Sequence, residues 1–487
     1  MKELALIAVP WLAAIAAFLW SSERTRPRLL PVAGGLHAVL SLWLLADPPT
    51  LSPSAWFGFD PLARAVLPMV SLLFLVCSIY GVAYLKVRAE RPNRLFVFAL
   101  LVLLGCLSLA LQAQHLGLLW VAAEAATLMT VPLVHFNGTA RAFEASWKYL
   151  LVGGTGIALS LLGSFCLGYA SLNAGGNGDL TFSALAGQFV HLPVEVAAKS
   201  GPWVIAAWVL LLAGYGTKMG LAPMHTWKPD AYGEAPGMVG ALLAGGITTM
   251  AFIAVLRVKQ VVDAAGGGDM TQRTLLAIGL FSMLVAALFL LGTPDFKRML
   301  AYSSVEHMGI LAVGAALGGL GVWAALFHVW TNNLTKGSLF LSAGNIRRAA
   351  NARSQNEVSG MAWRSPLSAR IFIAGLFAIT ACPPFGPFFS ELLILRAAFT
   401  TGSTFTAVAF LGCLLFAFFG MTRLVFAIVD GRPRAAARAT GSRFRETSGV
   451  ILPPLALLGC SVWLGLATPS WLSESWSAAA KLLFPTP

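Results

Sequence analysis

The sequence has few charged residues and lacks the motifs of a soluble catalyst. Charged side chains make up 11% of the 487 residues, whereas soluble globular domains carry roughly 25%. No Walker-type phosphate loop is present, and the six cysteines form no CxxC or Cys/His cluster. These absences exclude a soluble enzyme, an ATPase and a chain with its own iron–sulfur, zinc or haem centre. We therefore expect no cofactor and no bound metal.

Long apolar stretches are present instead. Hydrophobic residues make up 57% of the chain, and the mean hydropathy is +0.77. A helix that crosses a bilayer needs about 20 mostly apolar residues, so the sequence predicts an all-α polytopic membrane protein with about 14 transmembrane helices. The predicted spans are 4–20, 29–46, 62–84, 95–113, 115–135, 149–172, 203–223, 237–256, 273–292, 300–316, 320–343, 368–396, 404–429 and 448–468.

Lysine and arginine fall mainly in the loops on one side of these spans. Cytoplasmic loops carry an excess of these residues, so this side is predicted to face the cytoplasm and both termini to lie outside it. The assignment places Lys228 in a loop of the basic side and Arg257 in a loop of the other side. The net charge of +13 then reflects topology, and we expect no nucleic-acid partner.

Four ionisable residues fall well inside apolar spans, namely Glu124, Lys218, Lys336 and Glu391. A charge at bilayer depth costs at least about 2.5 kcal/mol, so each of the four is a candidate for function. His307, His328 and Glu306 lie in the later spans. His328 also fits a hydrogen-bonded packing role, and Glu144, four residues before Lys148, fits an ordinary pair on a helix surface.

Two of the predicted helices look broken. The segment GYGTKMGLAPMH surrounds Lys218 with glycine and proline, and ITACPPFGPFFSELLIL places three prolines just before Glu391. Interrupted helices at corresponding places in two halves are typical of inverted-repeat transporters with sites near the membrane midplane. Carboxylate, lysine and histidine side chains at such sites can pass protons between them. A cavity for a sugar or a drug stays open as an alternative.

Several of these segments resemble one known family. LLWVAAEAATLMTVPLV, GTKMGLAPMHTWKPDAYGEAPGMVGALLAGGI, DFKRMLAYSSVEHMGI, FHVWTNNLTKGSLFLSAGNI and PPFGPFFSELLIL are similar to motifs of the antiporter-like membrane subunits of respiratory complex I, Mrp antiporters and membrane-bound hydrogenases. The resemblance covers roughly residues 95–400 and has the motifs in the family's order. EASWKYLL, SSVEHMGI and FFSELLIL most resemble the component F branch of hydrogenase-4 and formate hydrogenlyase.

The resemblance implies a fold and a set of roles. The fold would have helices 1–3 in residues 1–94, one five-helix repeat in 95–256, an inverted repeat in 273–429, and a last helix with a short amphipathic tail in 448–487. Helices 7 and 12 would be broken. The implied proton path pairs Glu124 with Lys218, uses Lys336 as the connecting lysine and ends at Glu391. His307 and His328 would relay protons, and Glu144 would couple to a neighbouring subunit.

Two departures from the family pattern affect this path. Many relatives have a lysine or histidine in the eighth helix, where this sequence has Thr249, which cannot carry a proton charge. Lys228 and Tyr232 replace positions where an apolar residue and often a histidine are expected.

The resulting expectation is a proton-translocating, non-redox subunit of a multi-subunit complex, driven by electron transfer in hydrogenase-type or quinone oxidoreductase partners. The alternatives are a Mrp-type cation/proton antiporter subunit, the proton-conducting partner of an inorganic-carbon uptake complex, and a non-transporting scaffold that retains a vestigial axis. The expected partners are other membrane subunits, a peripheral redox or carbon-capture module, the lipid bilayer, and protons or sodium ions. The expected location is the cytoplasmic (inner) membrane of a bacterium or archaeon.

Overall fold

The structure is a computed structural model that describes residues 2–50, 52, 55–190, 193–351, 357–430 and 444–484. Within these ranges the chain consists of α-helices joined by turns, with short 3-10 and π segments and two isolated β-bridges. Ten helical segments of the described chain are long and apolar enough to cross a membrane, judged by length and composition. The all-α polytopic prediction is confirmed, whereas the count of fourteen crossings, the repeats and the domain boundaries stay predictions.

Three long helices come first, α1 (Lys2–Leu19), α2 (Leu29–Ala46) and α3 (Pro61–Val87). α3 is mostly buried, and the side chain of its N-cap, Asp60, accepts a hydrogen bond of 2.9 Å from the Ala63 backbone N–H. α1 and α2 expose many large apolar side chains. A membrane helix satisfies its backbone hydrogen bonds internally, so its apolar side chains can face the hydrocarbon. In a membrane such surfaces contact lipid or another subunit.

The next helices bring α6 and α8 unusually close together. They are α4 (Arg94–Gln112), α5 (Leu116–His135), α6 (Ala140–Asn173), α7 (Phe182–Phe189) and α8 (Val194–Met219). A methyl group on Gly214 of α8 would lie 2.4 Å from the Gly156 carbonyl oxygen of α6. Only glycine fits at such a contact, and small residues allow membrane helices to approach in this way. The contact holds Lys218, one turn after Gly214, against α5 and α6.

The first helix break follows Lys218. Gly220 has a φ of 78° and ends α8 in the left-handed region, which glycine adopts readily. The chain then forms a short helix and a long interrupted one, and the predicted break in helix 7 is present. These elements are α9 (Trp227–Glu234), α10 (Gly237–Leu242), a π segment (Leu243–Ile247), α11 (Thr248–Val262), a second π segment (Asp263–Gly267) and α12 (Gly268–Gly292).

The second break lies at residues 380–385, between two helices that were expected to form one span. The elements here are α13 (Phe296–Ala316), α14 (Gly319–Ala350), α15 (Met361–Arg364), α16 (Pro366–Ile379) and α17 (Gly386–Thr400). Both α16 and α17 have proline in the first turn, where its missing N–H would have no helical partner anyway. Glu391 consequently lies near the start of α17, just beyond the predicted break.

The chain ends in α18 (Thr404–Val429), α19 (Ser448–Leu466) and α20 (Ser470–Leu483). α20 is the amphipathic tail, and its apolar face packs on the same chain. Trp476 is buried with its ring 5.1 Å from that of Phe327 on α14, and Trp323 donates a hydrogen bond of 3.3 Å to the Ser473 carbonyl oxygen.

Lys228 and Arg257 are among the basic residues that are buried where loops were expected. Lys228 lies in α9 with 0% of its surface exposed and Arg257 lies in α11 with 1% exposed, so their assignment to loops is wrong. Arg257 forms two hydrogen bonds with Asp60, of 2.7 Å and 2.9 Å, and a third of 2.9 Å with the Leu111 carbonyl oxygen. Polar composition misled the assignment, because Arg257 is buried with an ion-pair partner and Lys228 is buried with a hydrogen bond to Ser304.

Candidate functional site

Lys218 lies fully buried near the C-terminal end of α8. Its ammonium group donates a hydrogen bond to the Thr127 hydroxyl of α5 and lies 5.4 Å from the centre of the Tyr149 ring of α6. A methyl group on Gly153 would be 2.6 Å from the Lys218 Nζ, so the absence of a side chain at Gly153 makes room for the charge. Three helices thus form the pocket of this lysine.

Glu124 lies on α5, one turn before Thr127, and is partly buried. Its Oε2 atom is buried without a hydrogen-bond partner. Among the described residues, no nitrogen of a basic side chain comes within the 4.0 Å of an ion pair with this carboxylate. The expected ion pair between Glu124 and Lys218 is therefore not formed in this structure. Lys218 donates its hydrogen bond to Thr127 instead.

Lys228 follows the first helix break and continues the line from Lys218. Its side chain passes over Gly220, where a methyl group would be 2.2 Å from its Cε. The ammonium group donates a hydrogen bond of 3.1 Å to Ser304 on α13 and lies 5.8 Å from the centre of the Tyr232 ring. Lys228, one of the residues that depart from the family pattern, is therefore a further buried lysine, and it lies between α8 and α13.

Lys336 lies in the middle of α14 and has 0% exposure. Its ammonium group donates a hydrogen bond of 3.3 Å to the Leu300 carbonyl oxygen of α13. Leu300 is one helical turn from Ser304, so Lys228 and Lys336 contact neighbouring turns of α13. The carboxylate of Glu306 interacts electrostatically with Lys336, and its Oε2 atom has no hydrogen-bond partner.

Two buried histidines connect α13 to α17. His307 Nδ1 and His328 Nε2 lie 2.9 Å apart, and His328 Nδ1 is 2.9 Å from the Ser390 hydroxyl. Which nitrogen carries the proton depends on the tautomer. A neutral imidazole accepts a proton at one nitrogen and releases another from the second, so this geometry suits proton transfer.

Glu391, near the start of α17, is the last group of this line of buried side chains. It is buried, and its Oε1 atom is 3.8 Å from His307 Nδ1, while neither carboxylate oxygen has a hydrogen-bond partner. The ligand atoms of His307, His328 and Glu391 lie within 4.8 Å of one another. Two imidazoles and a carboxylate are donors that could also hold a divalent cation such as Zn²⁺.

Thr249 does not join the charged groups but lies in a polar layer beside them. Its hydroxyl accepts a hydrogen bond of 2.8 Å from Asn333 of α14, and the same amide group donates 3.0 Å to the Gly245 carbonyl oxygen. Gly245 belongs to the π segment that precedes α11. A π segment shifts the backbone register and is frequent at functional sites.

Glu144 lies apart from the buried groups. Its side chain is 62% exposed and pairs with Lys148 at 2.7 Å, and Lys148 also contacts Asp230 at 3.0 Å. Asp230 in turn pairs with Arg298. The structure brings together Lys218, Lys336, His307, His328 and Glu391 along the interior, and leaves Glu144 in a surface network of charges.

Two further buried groups of the interior were absent from the predicted site. Glu306 precedes His307 directly in SSVEHMGI, and that adjacency was a usable signal. Lys228 lies in the polar segment HTWKPDAYGEAP, which has the composition of a loop. With these two, the line of groups from Lys218 to Glu391 contains, among the described residues, three buried lysines and two buried carboxylates, beside the partly buried Glu124.

Comparison with known proteins gives consistent matches over most of the chain. Residues 113–417 match the family described as NADH:quinone oxidoreductase/Mrp antiporter, transmembrane. A hydrogenase-4 component F homologue of Methylacidiphilum infernorum is 32% identical, over 93% of this chain and 97% of its own. An NADH-quinone oxidoreductase subunit N of Desulforudis audaxviator is 30% identical, over 89% of this chain and 87% of its own.

A solved structure has the same fold from end to end. A chain in the Mrp complex of a Dietzia species matches with a TM-score of 0.84 and 23% identity, covering 100% of this chain and 97% of that chain. The match with a component F homologue confirms the predicted branch of the superfamily.

Proposed function

The chain belongs to the NADH:quinone oxidoreductase/Mrp antiporter transmembrane family, and from this premise we propose that it moves protons through a membrane as an antiporter-like subunit of a multi-subunit complex. The observation that carries the proposal is the line of buried ionisable groups from Lys218 through Lys228 and Lys336 to Glu391. Buried charges without a full set of partners are costly, and in membrane helices they typically mark a proton or ion path.

The chemistry of the path follows from how each group is paired. Lys218, Lys228 and Lys336 each donate one hydrogen bond to a neutral oxygen. An ammonium group whose carboxylate partner moves closer holds its proton more firmly, and it releases the proton when that partner moves away. Motion of Glu124 relative to Lys218 would therefore load or unload the first lysine.

The histidine pair is proposed to connect Lys336 to the terminal carboxyl. Glu306 interacts electrostatically with Lys336, and its neighbour in sequence, His307, contacts His328. A proton given to one imidazole can leave from its other nitrogen, and Glu391 lies 3.8 Å from His307 to receive it. The side chain of Ser390, bonded to His328, would hold that ring in position.

We propose that partner subunits provide the energy. The sequence has no cysteine or histidine cluster suited to a redox centre, so electron transfer would take place in a peripheral module of the complex. Glu144, in its surface network, is the proposed contact with a neighbouring antiporter-like subunit. The proposed site of action is the cytoplasmic membrane, with both termini on the outer side.

The test uses the intact native complex in proteoliposomes, with proton movement and donor turnover followed in parallel. Lys218→Ala and Glu391→Gln are compared with Lys481→Ala and Glu474→Gln, which alter exposed residues of α20. We expect the first two variants to assemble and to lose proton movement, while both controls keep it. Unchanged pumping and turnover in Lys218→Ala and Glu391→Gln would refute the relay.

A second arm separates redox-driven pumping from secondary antiport. The same vesicles are given a sodium gradient without electron donor. Proton movement under these conditions would favour a Mrp-type exchange, whose fold this chain shares. Movement that requires the donor supports the proposed coupling to electron transfer.

A further inference from the structure

We propose that a basic cavity, separate from the proton path, binds a phosphate-bearing anion. The cavity has a volume of about 400 Å³ and lies where α3, α5 and α14 end and α10 and α13 begin. Among the residues that the structure describes, its lining contains five cationic side chains and no carboxylate, and it includes none of the groups assigned to proton transfer. The cations are Arg88, Arg91, Lys297, Arg347 and Arg348.

These cations come from three separate parts of the chain. Two follow α3, one starts α13 and two lie in the last turn of α14. An excess of arginine in loops on one side would account for their presence there, but not for their convergence on one concave site. Glu90 lies 2.7 Å from Arg88, and Glu234 lies 3.6 Å from Arg347.

The cationic side chains are fixed at the cavity wall. The Arg91 guanidinium lies against Gly138, where an added methyl group would be 2.3 Å from its Nη1. The Gly233 carbonyl oxygen accepts hydrogen bonds from Lys297 at 3.1 Å and from Arg347 at 2.6 Å. Positions fixed in advance reduce the entropy lost when a ligand binds.

The composition favours phosphate over a single carboxylate. Four of the five cations are arginines, whose planar guanidinium groups bind phosphate oxygens in pairs. The cavity is also several times larger than a carboxylate group needs. Basic pockets at the membrane surface between helices bind the headgroups of acidic lipids. The phosphate could thus belong to an anionic phospholipid or to a soluble anion, and both sources share the same recognition chemistry.

The experiment measures both sources on the intact native complex. Radiolabelled inorganic phosphate is titrated by equilibrium dialysis after delipidation, at constant ionic strength set with chloride. In a second arm, native mass spectrometry records phosphatidylglycerol retained from nanodiscs made with phosphatidylglycerol or phosphatidylcholine. The variants are Arg91→Gln and Arg88→Gln, which lie outside the helices, and the matched control is the exposed Arg24→Gln.

We expect either phosphate or phosphatidylglycerol to bind, and each cavity variant to weaken that binding by at least about tenfold, the effect of losing one charged hydrogen bond. Arg24→Gln should bind like the wild type. Binding of phosphate without lipid identifies a soluble ligand, and retention of phosphatidylglycerol alone identifies a lipid. No binding in either arm, or equal binding in the variants, overturns the proposal. Loss of a partner subunit from the variants without any change in anion binding also overturns it, since the cations would then bind acidic protein.

Discussion

Two regions of this chain bury charged side chains to a similar extent. The charged side chains of the two regions differ in how many hydrogen-bond and ion-pair partners they have. Arg257 meets Asp60 in a two-bond ion pair and also donates to the Leu111 carbonyl oxygen. Lys336 has one hydrogen bond of 3.3 Å to a carbonyl oxygen, and Glu391 has none. Burial alone therefore does not distinguish the two regions, whereas the number of hydrogen-bond and ion-pair partners does.

The physical reason is the cost of changing protonation. A charged group with a complete set of hydrogen-bond and ion-pair partners is stabilised in its ionised form. Removing its proton or its partner breaks those interactions. A buried charge with few partners is close in energy to its neutral form, so a small motion of a neighbour changes its state. The Arg257–Asp60 pair is thus expected to hold α11 to the start of α3, and the Lys336–Glu391 region to move protons.

The largest expected effect is on stability, from breaking the satisfied pair. Asp60→Asn keeps an acceptor for the Ala63 N–H but leaves Arg257 without a counter-charge, so we expect the free energy of unfolding to fall by about 3 kcal/mol. Proton movement per assembled complex should stay within about twofold, equivalent to 0.4 kcal/mol. Denaturant unfolding of the purified complex and proteoliposome assays measure the two effects.

The matched control is Asp47→Asn, which breaks an exposed pair with Lys2 of 2.6 Å. Exposed pairs contribute little to stability, so this variant should unfold like the wild type. If Asp60→Asn instead loses proton movement without loss of stability, the ion pair belongs to the proton path and is not a purely structural contact.

Lys336→Met is expected to act in the opposite way. Removing one member of a buried charged pair is destabilising when the other stays charged. Glu306 can take up a proton once Lys336 is absent and so become neutral, and we therefore expect the stability to be unchanged. Proton movement should fall by about 100-fold, the usual effect of removing a positioned proton carrier. Lys481→Met serves as the exposed control, and a clear loss of stability in Lys336→Met would show that the lysine is structural.

Much of this arrangement was visible in the sequence. The apolar runs predicted the helices, and every predicted span overlaps a helix or a pair of helix segments. Glycine and proline around Lys218 and before Glu391 predicted both breaks, because these residues act locally on the backbone. Lys218, Lys336 and Glu391 were found because a charge inside an apolar run is conspicuous at any position.

The remaining features depend on contacts between distant residues. Asp60 and Arg257 are 197 positions apart, and Thr249 and Asn333 are 84 apart, so no local pattern indicates either pair. Lys228 lies in a polar segment that has the composition of a loop, and its burial follows from how α9 packs between α6 and α13. Sequence patterns predict which residues become buried, but not which buried charges have hydrogen-bond or ion-pair partners.

Gly153→Ala tests how the first lysine is held. The new methyl group would be 2.6 Å from the Lys218 Nζ, and the end of this flexible side chain can move away without disturbing the backbone. We expect the hydrogen bond to Thr127 to be lost and proton movement to fall by about tenfold, equivalent to 1.4 kcal/mol, with unchanged stability. Gly154→Ala is the control, since its methyl group would meet no atom within 4 Å. Equal activity of the two variants would mean that the position of Lys218 does not limit the transfer.

The smallest effect is expected at the surface. Glu144→Gln removes one partner of Lys148, which keeps Asp230 at 3.0 Å, and water screens the charge that is lost. Proton movement should therefore remain within about twofold of the wild type, a change of 0.4 kcal/mol, as in Glu474→Gln. A tenfold loss in Glu144→Gln alone would show that proton movement depends on the proposed contact of Glu144 with a neighbouring subunit. Its partners would then decide its role, as we propose for Arg257 and Lys336 in the interior.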